Sequence, residues 1–428
     1  MPTRTQTLPD NIVVCDCLVS SCAWWPRETT VARRDAGGRD GISMLYAWGA
    51  GTSGQLGSSL LEDSFLPRRL AGERERVLLL ACGGSHAVAI YEAWNTGGGL
   101  ETWGSPCGGL GEGREQPPLP SPLPMPQLCV SRVTRVAAGW AHSAFLTERG
   151  ELYTAGEGSF GQLGIGELPA AGCVLRPQRV GGLEAMCVTE VAAGLRHTVI
   201  SARSRSSGDP GGGDGSGVFH VLAFGANSKG QCGQPCSSGR KFASPTRVPA
   251  LAFPQDPTLA AGGDSSAAID AEGRLLLWGR ASPDQSNNAP VSPTTPSPLP
   301  PPATASDVAW RQVALGWRHC VGLDTAGRVW AWGSNQHGQC GTGDTSAVVG
   351  QPLQVAGLVG TQVRSVAAGS EHSLAVSCAG ELFVWGWAEH GQLGLGDTAN
   401  QAAPRRLELP RVSRAWCGSG FSIAEVAA

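Results

Sequence analysis

Residues 369–394 read GSEHSLAVSCAGELFVWGWAEHGQLG and contain both halves of a repeat that runs through the chain. The first half carries the pattern Gly-x-x-His after a short apolar run, and the second half ends in Trp-Gly followed by Gly-Gln-Leu-Gly. Each half is a short alternating apolar segment bounded by glycine, which predicts a strand and a tight turn. The number and spacing of the copies therefore decide the fold class.

The Trp-Gly half occurs seven times, although Trp is replaced in two of the copies. The intervals between the closing glycines are 55, 52, 69, 54, 54 and 53 residues, and these glycines are Gly49, Gly104, Gly156, Gly225, Gly279, Gly333 and Gly386. Gly-Gln-Leu/Cys-Gly follows five of them, at 54–57, 161–164, 230–233, 338–341 and 391–394. This spacing indicates one structural unit repeated seven times, with one insertion.

The Gly-x-x-His half alternates with the Trp-Gly half and also occurs seven times. Five copies carry the histidine, as His86, His142, His197, His319 and His372. In two degenerate copies we assign Ser266 and Phe421 to the histidine position. A period near 50 residues with four short strands per unit is typical of a propeller blade.

The order of the halves predicts how the ring closes. The chain begins with a Trp-Gly half at Trp48 and ends with a Gly-x-x-His-type half at Gly418. We therefore predict an all-β, seven-bladed β-propeller in which residues near 412–426 pair with residues near 45–57, because that pairing removes exposed sheet edges. The propeller is expected over residues 44–428, after a variable, poorly ordered leader at 1–43. Low-complexity inserts are expected at 112–127, 202–217 and 280–306, the first and third emerging near one face.

Composition agrees with this fold and excludes several classes of protein. The 61 glycines among 428 residues suit turns that need positive φ, and the 14 tryptophans suit the wedges between blades. A net charge of −3 offers no bulk attraction for nucleic acid. No apolar run approaches the roughly 18–20 residues of a membrane-spanning helix. We expect a cytoplasmic protein, with the nucleus as a second compartment, and no nucleic-acid partner.

No catalytic constellation is recognisable in the sequence, and we expect no enzyme activity, metal or cofactor. The repeat histidines lie about 55 residues apart in separate blades, so they form a ring rather than a metal-binding cluster. We assign structural roles to these five histidines and to the repeat tryptophans Trp48, Trp103, Trp278, Trp332 and Trp385.

One rim of the propeller is the candidate binding surface. The residues between Gly and His fall at equivalent positions in every blade, and Trp and Arg are enriched in binding hot spots. The predicted partner-binding residues are Trp140, Arg196, Trp317, Arg318 and Glu371. An alternative is that Trp140 and Trp317 pack against neighbouring blades.

The paired halves over residues 44–426 resemble the regulator of chromosome condensation repeat family. GLRHT at 194–198, GSEHSLAV at 369–376 and WGWAEHGQLGLGD at 385–397 are most similar to its secretion-regulating guanine nucleotide exchange factor branch. The resemblance implies a monomeric interaction propeller that acts as an exchange factor or regulator of a small GTPase. It also implies a role in secretion, with a tethering-complex subunit as another partner.

Two alternatives stay open. The family contains pure scaffolds without exchange activity. It also contains the plant ultraviolet-B photoreceptor, which builds a tryptophan cluster from GWRHT motifs in three neighbouring blades. Here GWRHC occurs once, at 316–320, and GWAHS at 139–143 is expected to be remote from it, with Leu195 and Asp264 at the matching positions between them. The cluster is therefore predicted to be incomplete.

Overall fold

Seven antiparallel sheets form the protein. The computed structural model describes residues 42–70, 74–92, 99–106, 118–125, 132–167, 172–205, 217–280, 295–305 and 307–427. Within these ranges, each sheet contains four strands, numbered from the channel outward, and each strand pairs with the next one in that order. One sheet carries an additional short strand. This is the seven-bladed all-β propeller that the repeat predicts.

Six blades are contiguous in the chain. Blade 1 contains β4 (Val77–Cys82), β5 (His86–Tyr91), β6 (Leu100–Gly104) and β7 (Leu119–Pro124). Blade 2 contains β8 (Val133–Ala138), β9 (His142–Thr147), β10 (Leu152–Glu157) and β11 (Cys173–Arg179). Blade 3 contains β12 (Met186–Ala193), β13 (His197–Ser204), β14 (Phe219–Ala226) and β15 (Lys241–Phe253).

The next three blades follow the same plan. Blade 4 contains β16 (Thr258–Gly262), β17 (Ser265–Ile269), β18 (Leu275–Gly279) and β19 (Ser297–Pro298). Blade 5 contains β20 (Trp310–Leu315), β21 (His319–Asp324), β22 (Val329–Ser334) and β23 (Val348–Gln354). Blade 6 contains β24 (Val363–Ala368), β25 (His372–Ser377), β26 (Leu382–Gly386) and β27 (Gln401–Leu407).

Blade 7 closes the ring with strands from both ends of the chain. It contains β28 (Val412–Cys417), β29 (Phe421–Val426), β1 (Ile42–Gly49) and β2 (Ser64–Arg69), and the short strand β3 (Arg74–Glu75) pairs with the start of β1. The register of β1 against β29 runs from Met44 opposite Val426 to Gly49 opposite Phe421. The predicted closure is confirmed, and its fourth strand comes from residues just beyond the predicted 45–57.

The low-complexity inserts contain more regular structure than their composition suggests. β7 lies inside the predicted insert 112–127, β19 lies inside 280–306, and the end of β13 overlaps the start of 202–217. Both β7 and β19 are outermost strands rich in proline, which an edge strand tolerates because one side of it needs no ladder bonds. Residues 107–117, 206–216 and 281–294 lie outside the described ranges, as does the predicted leader up to residue 41.

One face of the propeller, which we call the loop face, carries the Gly-x-x-His-type turn of every blade and the Gly-Gln turns of blades 2, 3, 5, 6 and 7. The Gly-x-x-His turn joins the first strand to the second, and the Gly-Gln turn joins the third to the fourth, so antiparallel pairing places both at the same end of the blade. The chain leaves β6 and β18 at this face, where the repeat phase puts the first and third inserts. Among the residues described, no helix is long and apolar enough to cross a membrane.

The glycine of Gly-x-x-His is needed because the histidine ring lies against it. A Cβ on Gly139 would lie 2.1 Å from Cε1 of His142, and one on Gly194 would lie 2.1 Å from Cε1 of His197. Contacts this short are excluded, so only glycine lets the ring fold back over the turn. The Gly-x-x-His spacing is thus a packing requirement of each blade.

A set of hydrogen bonds, which we call the inter-blade clasp, joins each regular blade to the next. At the junction of blades 6 and 7, His372 Nε2 lies 3.1 Å from Ser422 Oγ, and that hydroxyl donates to the main-chain oxygen of Gln392 at 3.0 Å. Trp48 Nε1 donates to the same oxygen at 2.9 Å. Because the hydroxyl hydrogen is used on Gln392, the histidine must be the donor, with its proton on Nε2.

The clasp recurs around the ring wherever the motifs are intact. The histidine-to-hydroxyl distances are 2.9 Å for His86–Ser143, 3.0 Å for His142–Thr198, 2.9 Å for His197–Ser266 and 3.0 Å for His319–Ser373. Blade 4 lacks a Gly-Gln motif, and Trp332 Nε1 of blade 5 has no acceptor among the described residues. The Gln carbonyl is therefore the acceptor on which the regular junctions converge.

The register corrects one assignment made from the sequence. Ser265 lies opposite Gly279 as each repeat histidine lies opposite its Trp-Gly glycine, so Ser265 rather than Ser266 occupies the histidine position. Ser266 takes the hydroxyl position and accepts from His197. The sequence had two serines in a row and a doubled glycine before them, and only strand pairing distinguishes the two alignments. Phe421 does occupy the histidine position, opposite Gly49, and shares an apolar cluster with Ala87.

Burial keeps the five repeat histidines neutral. It lowers the pKa of His86, His197 and His319 from 6.5 to about 4, and that of His142 and His372 to about 3, with neighbouring histidines adding to the effect at the last two. Each histidine therefore donates its hydrogen bond as an uncharged imidazole. The hydrogen bonds of the clasp are therefore made by uncharged histidines at neutral pH.

These pKa shifts predict acid sensitivity. Between pH 6.5 and about 4 the unfolded chain binds protons that the folded histidines refuse, so the free energy of unfolding should fall as the pH falls through this window. Glu190 has the opposite effect on the free energy of unfolding, because burial raises its pKa to about 8. Since only one such carboxyl opposes five histidines, the net effect of acid should be destabilising. Urea unfolding at a series of pH values should show a midpoint that decreases steadily below about pH 6.5.

A pair of variants tests the assignment to the clasp. His86→Gln should reduce the pH dependence by about one proton, whereas Thr134→Ala, which removes a half-buried hydroxyl outside the clasp, should leave it unchanged. An equal pH dependence in both variants would assign the effect to other groups.

Removing one hydroxyl from the clasp should lower the free energy of unfolding, whereas replacing both the histidine and the hydroxyl by apolar groups should largely preserve it. Ser422→Ala leaves the buried Nε2–H of His372 without an acceptor and should lower the free energy of unfolding by about 1–3 kcal/mol. The double variant His372→Phe with Ser422→Ala copies the Phe421–Ala87 pairing and should recover most of that loss. Denaturant unfolding measures both, with Thr134→Ala as a half-buried hydroxyl control outside the clasp. A double variant less stable than Ser422→Ala would contradict the clasp model.

Candidate functional site

A central channel runs along the propeller axis, lined by the first strand of every blade. Its cavity volume is about 210 Å³, and glycine, alanine, valine and leucine make up most of the lining. At the loop face, the first residue of each Gly-x-x-His turn lines the channel mouth, and these residues are Gly84, Trp140, Leu195, Gly263, Trp317, Ser370 and Ser419. The second residue of each turn is not part of this lining.

Trp140 and Trp317 stack on each other across the channel mouth. Their ring centroids are 5.7 Å apart with an interplanar angle of 10°, although they belong to blades 2 and 5 on opposite sides of the channel. The expectation that the two motifs are remote was wrong, because four of the other five positions at the narrow mouth are glycine or serine and leave room for two large rings. The intervening positions are Leu195 and Gly263, not Asp264. Each tryptophan remains 40 % exposed.

The two tryptophans also contact their neighbouring blades. The Gly84 N–H of blade 1 donates to the Trp140 main-chain oxygen at 3.1 Å, and a Cβ on Gly84 would lie 3.0 Å from Cδ2 of the Trp140 ring. Trp317 N–H donates to the Ser370 oxygen of blade 6 at 3.1 Å. Packing between blades and exposure at the loop face thus coexist at both residues, and the two predicted roles do not exclude each other.

The other three predicted rim residues do not line the channel, and two of them, Arg196 and Glu371, contact the Gly-Gln turns of neighbouring blades. The Arg196 guanidinium of blade 3 lies 4.3 Å from the ring centroid of Phe160 in blade 2. Glu371 accepts a hydrogen bond from the Gln339 side chain. Burial raises the pKa of Glu371, while Gln339 and the charge of Arg318 oppose that rise. The structure brings the two tryptophans together but leaves Arg196 and the Arg318–Glu371 pair in separate sectors of the loop face.

Sequence reasoning missed a second aromatic cluster on this face. The Trp387 ring lies between His337 at 5.9 Å and His390 at 5.3 Å, and His390 Nδ1 lies 3.0 Å from an Asp63 oxygen in blade 7. The His390 side chain is 41 % exposed. The second Trp of WGWAEHG was the available signal, because it follows the repeat tryptophan and has no structural position of its own.

At the opposite end of the channel, arginines bond blade to blade through main-chain oxygens. Arg311 donates to the Arg364 oxygen at 2.5 Å, Arg364 donates to the Val412 oxygen, and Arg414 donates to the Leu78 oxygen at 3.0 Å. These bonds connect blades 5, 6, 7 and 1 in succession. The repeat pattern did not mark this belt. Arg311 and Arg364 occupy equivalent positions, five residues before the glycine of their turns, but Arg414 lies four residues before its glycine.

The chemistry of the loop face suits recognition. In the part of the chain that the structure describes, no group of three or more His, Cys, Asp or Glu side chains could hold a metal ion. The repeat histidines are buried, and each donates its Nε2–H to a hydroxyl of the clasp. The face exposes aromatic rings and guanidinium groups, which are enriched in binding hot spots, together with carboxylates.

Comparison with known proteins identifies the family. The RCC1-like domain family profile matches residues 44–424. The chain belongs to this family. It is 30 % identical over 408 residues to the mouse secretion-regulating guanine nucleotide exchange factor, covering 89 % of this chain and 83 % of that protein. It is 28 % identical over 400 residues to the ultraviolet-B receptor UVR8 of Arabidopsis thaliana, covering 91 % of this chain and 84 % of that protein.

The RCC1-like fold is also shared with a solved structure. Prp20p from Saccharomyces cerevisiae superimposes with a TM-score of 0.74 at 22 % identity, covering 91 % of this chain and 92 % of Prp20p. At this identity the likeness establishes the propeller fold. The resemblance seen in the repeats is thereby confirmed for the whole ring.

The tryptophan stack should be measurable as a coupling energy. In a double-mutant cycle with Trp140→Ala and Trp317→Ala, we expect the two losses of stability to be non-additive by about 0.5–1.5 kcal/mol, because either substitution removes the same ring contact. The control cycle pairs Trp140→Ala with Trp387→Ala, which lies in another aromatic cluster and should be additive. Additivity in both cycles would show that the stack contributes nothing.

Proposed function

We propose that this RCC1-like propeller is a non-catalytic interaction protein that engages a small GTPase through its loop face and promotes nucleotide exchange. The observation that carries the proposal is the set of exposed Trp and Arg side chains on that face, with Trp140 and Trp317 stacked at its centre. The similarity to the secretion-regulating guanine nucleotide exchange factor supports exchange as the activity. Prp20p, whose structure was described together with its binding to Gsp1p and histones, supports protein partners for this fold.

Exchange needs a shaped surface rather than acid–base chemistry. A factor that binds the nucleotide-free state of a GTPase more tightly than the nucleotide-bound state shifts the equilibrium toward release. The contacts to phosphate and Mg²⁺ that order the switch loops are what such binding must disturb. The rigid ring holds Trp317 and Arg318 at a turn joined to blade 6 through Ser370, so these side chains can press on a partner with little loss of entropy.

The proposed setting is a monomer in the cytoplasm that also enters the nucleus, with a tethering-complex subunit as a second type of partner. Net charge −3 and the apolar lining of the channel agree with a protein partner better than with nucleic acid.

Affinity capture followed by nucleotide release tests the proposal. Wild type should capture a GTPase from cells and accelerate release of a fluorescent guanine nucleotide from it. The pair Trp317→Ala with Arg318→Ala should reduce the release rate by about tenfold or more, since hot-spot truncations cost about 2 kcal/mol or more. The control pair Arg69→Ala with Arg405→Ala removes exposed arginines from outer strands and should release nucleotide as wild type does.

The outcomes are distinct. Equal capture by wild type and the Trp317–Arg318 variant would contradict the assignment of the loop face. Capture without accelerated release would leave a scaffold and overturn exchange.

A second candidate is a light sensor related to UVR8, favoured by the Trp140–Trp317 stack. Two parallel indole rings in contact are a coupled pair of ultraviolet-B chromophores. Leu195 and Gly263 at the intervening positions limit the cluster to this pair. Size-exclusion chromatography in the dark and under ultraviolet-B decides it: a sensor changes oligomeric state and loses the response in Trp317→Phe, whereas a constant monomer rules the sensor out.

A further inference from the structure

The positive charge of the loop face is concentrated in one sector, at the junction of blades 2 and 3. The whole chain has only two lysines: Lys229 lies in the connection between β14 and β15, and Lys241 is the first residue of β15. Arg240 precedes Lys241, and all three side chains are exposed. In a chain whose other basic residues are all arginine or histidine, two lysines at the two ends of one connection form a local feature rather than a background of composition.

Arg196 completes this sector, which we call the basic patch (Arg196, Lys229, Arg240 and Lys241). The Arg196 main-chain oxygen accepts from Ala226 N–H at 2.8 Å, and the next residue, Asn227, donates its N–H to the Arg240 oxygen at 2.7 Å. These bonds tie the Gly-x-x-His turn of blade 3 to its Gly-Gln turn. The four cations are therefore held by one blade and share one surface.

Phe160 and its neighbour Ser159, both in blade 2, contact the basic patch across the junction between the two blades. The Arg196 guanidinium stacks on its ring at 4.3 Å, and Lys241 Nζ donates to the oxygen of the adjacent Ser159 at 3.3 Å. Stacking immobilises the flat guanidinium while leaving its N–H edges free for a bidentate acceptor. Among the described residues, none of the four cations has a carboxylate within 4 Å. In the described part of the chain, the Arg196 and Lys241 side chains are thus held in place, and no carboxylate pairs with the four cations.

We propose that the basic patch is a docking site for an acidic protein segment, with Arg196 as the bidentate carboxylate ligand and Lys229, Arg240 and Lys241 as the surrounding charges. The patch adjoins the tryptophan pair, because Arg196 directly follows Leu195, which lines the channel mouth together with Trp140 and Trp317. An acidic segment seated here would reach the stacked rings with its neighbouring apolar residues. The acidic partner segment concerns one sector of the loop face, and this inference rests on the proposed function of that face.

A protein segment fits this site better than nucleic acid or a lipid surface. The chain as a whole is acidic, at net charge −3, and four cations in one turn region offer no extended track for a phosphate backbone. Membrane attraction likewise depends on clusters of cations spread along an exposed segment or helix. A short run of carboxylates needs only the area that the patch provides.

Binding of a defined peptide tests the proposal with the full-length chain. The probe is a fluorescein-labelled oligoglutamate peptide, measured by fluorescence anisotropy at about 0.15 M salt, with an oligolysine peptide of equal length as its counterpart. Wild type should bind the oligoglutamate probe and not the oligolysine probe. Arg196→Glu, Lys229→Glu and Arg240→Glu combined should weaken binding by about tenfold or more.

The matched control reverses the same number of charges elsewhere. Arg69→Glu, Arg176→Glu and Arg405→Glu combined lie on exposed outer strands of blades 7, 2 and 6 and should change the affinity by less than about threefold. Phe160→Leu keeps every charge but removes the stacking partner of Arg196, and it should weaken binding by a smaller factor than the patch variant. Thermal unfolding of all variants checks that the ring is intact.

Three results would overturn the proposal: no binding of the oligoglutamate probe to wild type, equal weakening by the patch and control variants, or tighter binding to phosphatidylcholine vesicles containing phosphatidylinositol bisphosphate than to the peptide. The nucleotide-release assay separates this proposal from the proposed function. Loss of release in the Trp317–Arg318 variant with peptide binding intact supports both, whereas peptide binding in a wild-type protein without exchange activity preserves the patch and removes the exchange factor.

Discussion

The main-chain carbonyl group of the glutamine in each Gly-Gln turn is the hydrogen-bond acceptor on which the ring depends. At the junction of blades 6 and 7, the Gln392 oxygen receives both the Trp48 N–H and the Ser422 hydroxyl, which in turn accepts from His372. Because all of these groups are buried, any one left unpaired would cost a substantial part of the stability of a marginally stable fold. One acceptor therefore accounts for three of the motif residues and for their order along the chain.

The same constraint shapes the loop face. The glycine of the turn, and the histidine and tryptophan in the repeats that carry them, have structural roles, so the two residues after that glycine are free to vary. The first of them lines the channel mouth, where Trp140 and Trp317 meet, and the second lies over the turn of a neighbouring blade, where Arg196 stacks on Phe160. A surface with aromatic and charged sectors thus arises on a scaffold of nearly identical junctions, which suits discrimination among protein partners.

Prediction from the sequence succeeded where a position repeats and failed where it does not. The glycine spacing predicted seven blades and the closure of β1 on β29, because every unit must satisfy the same pairing. Ser265 and Ser266 were misaligned because a doubled glycine allows two registers, and strand pairing selects one. The strands β7 and β19 were hidden in proline-rich segments, since an edge strand imposes few demands on its sequence.

The sequence by itself determined the fold class, the number of blades, the family and the residue types at each junction, because these follow from a period and from local turn chemistry. Only the tertiary structure decided which unique side chains meet. Trp140 and Trp317 are 177 residues apart in the chain and touch because ring closure places blades 2 and 5 across a narrow channel. Lys229, Arg240 and Lys241 join Arg196 because blade 3 folds its two turns onto one face. Contacts across a closed ring depend on its diameter and closure, which no local pattern encodes.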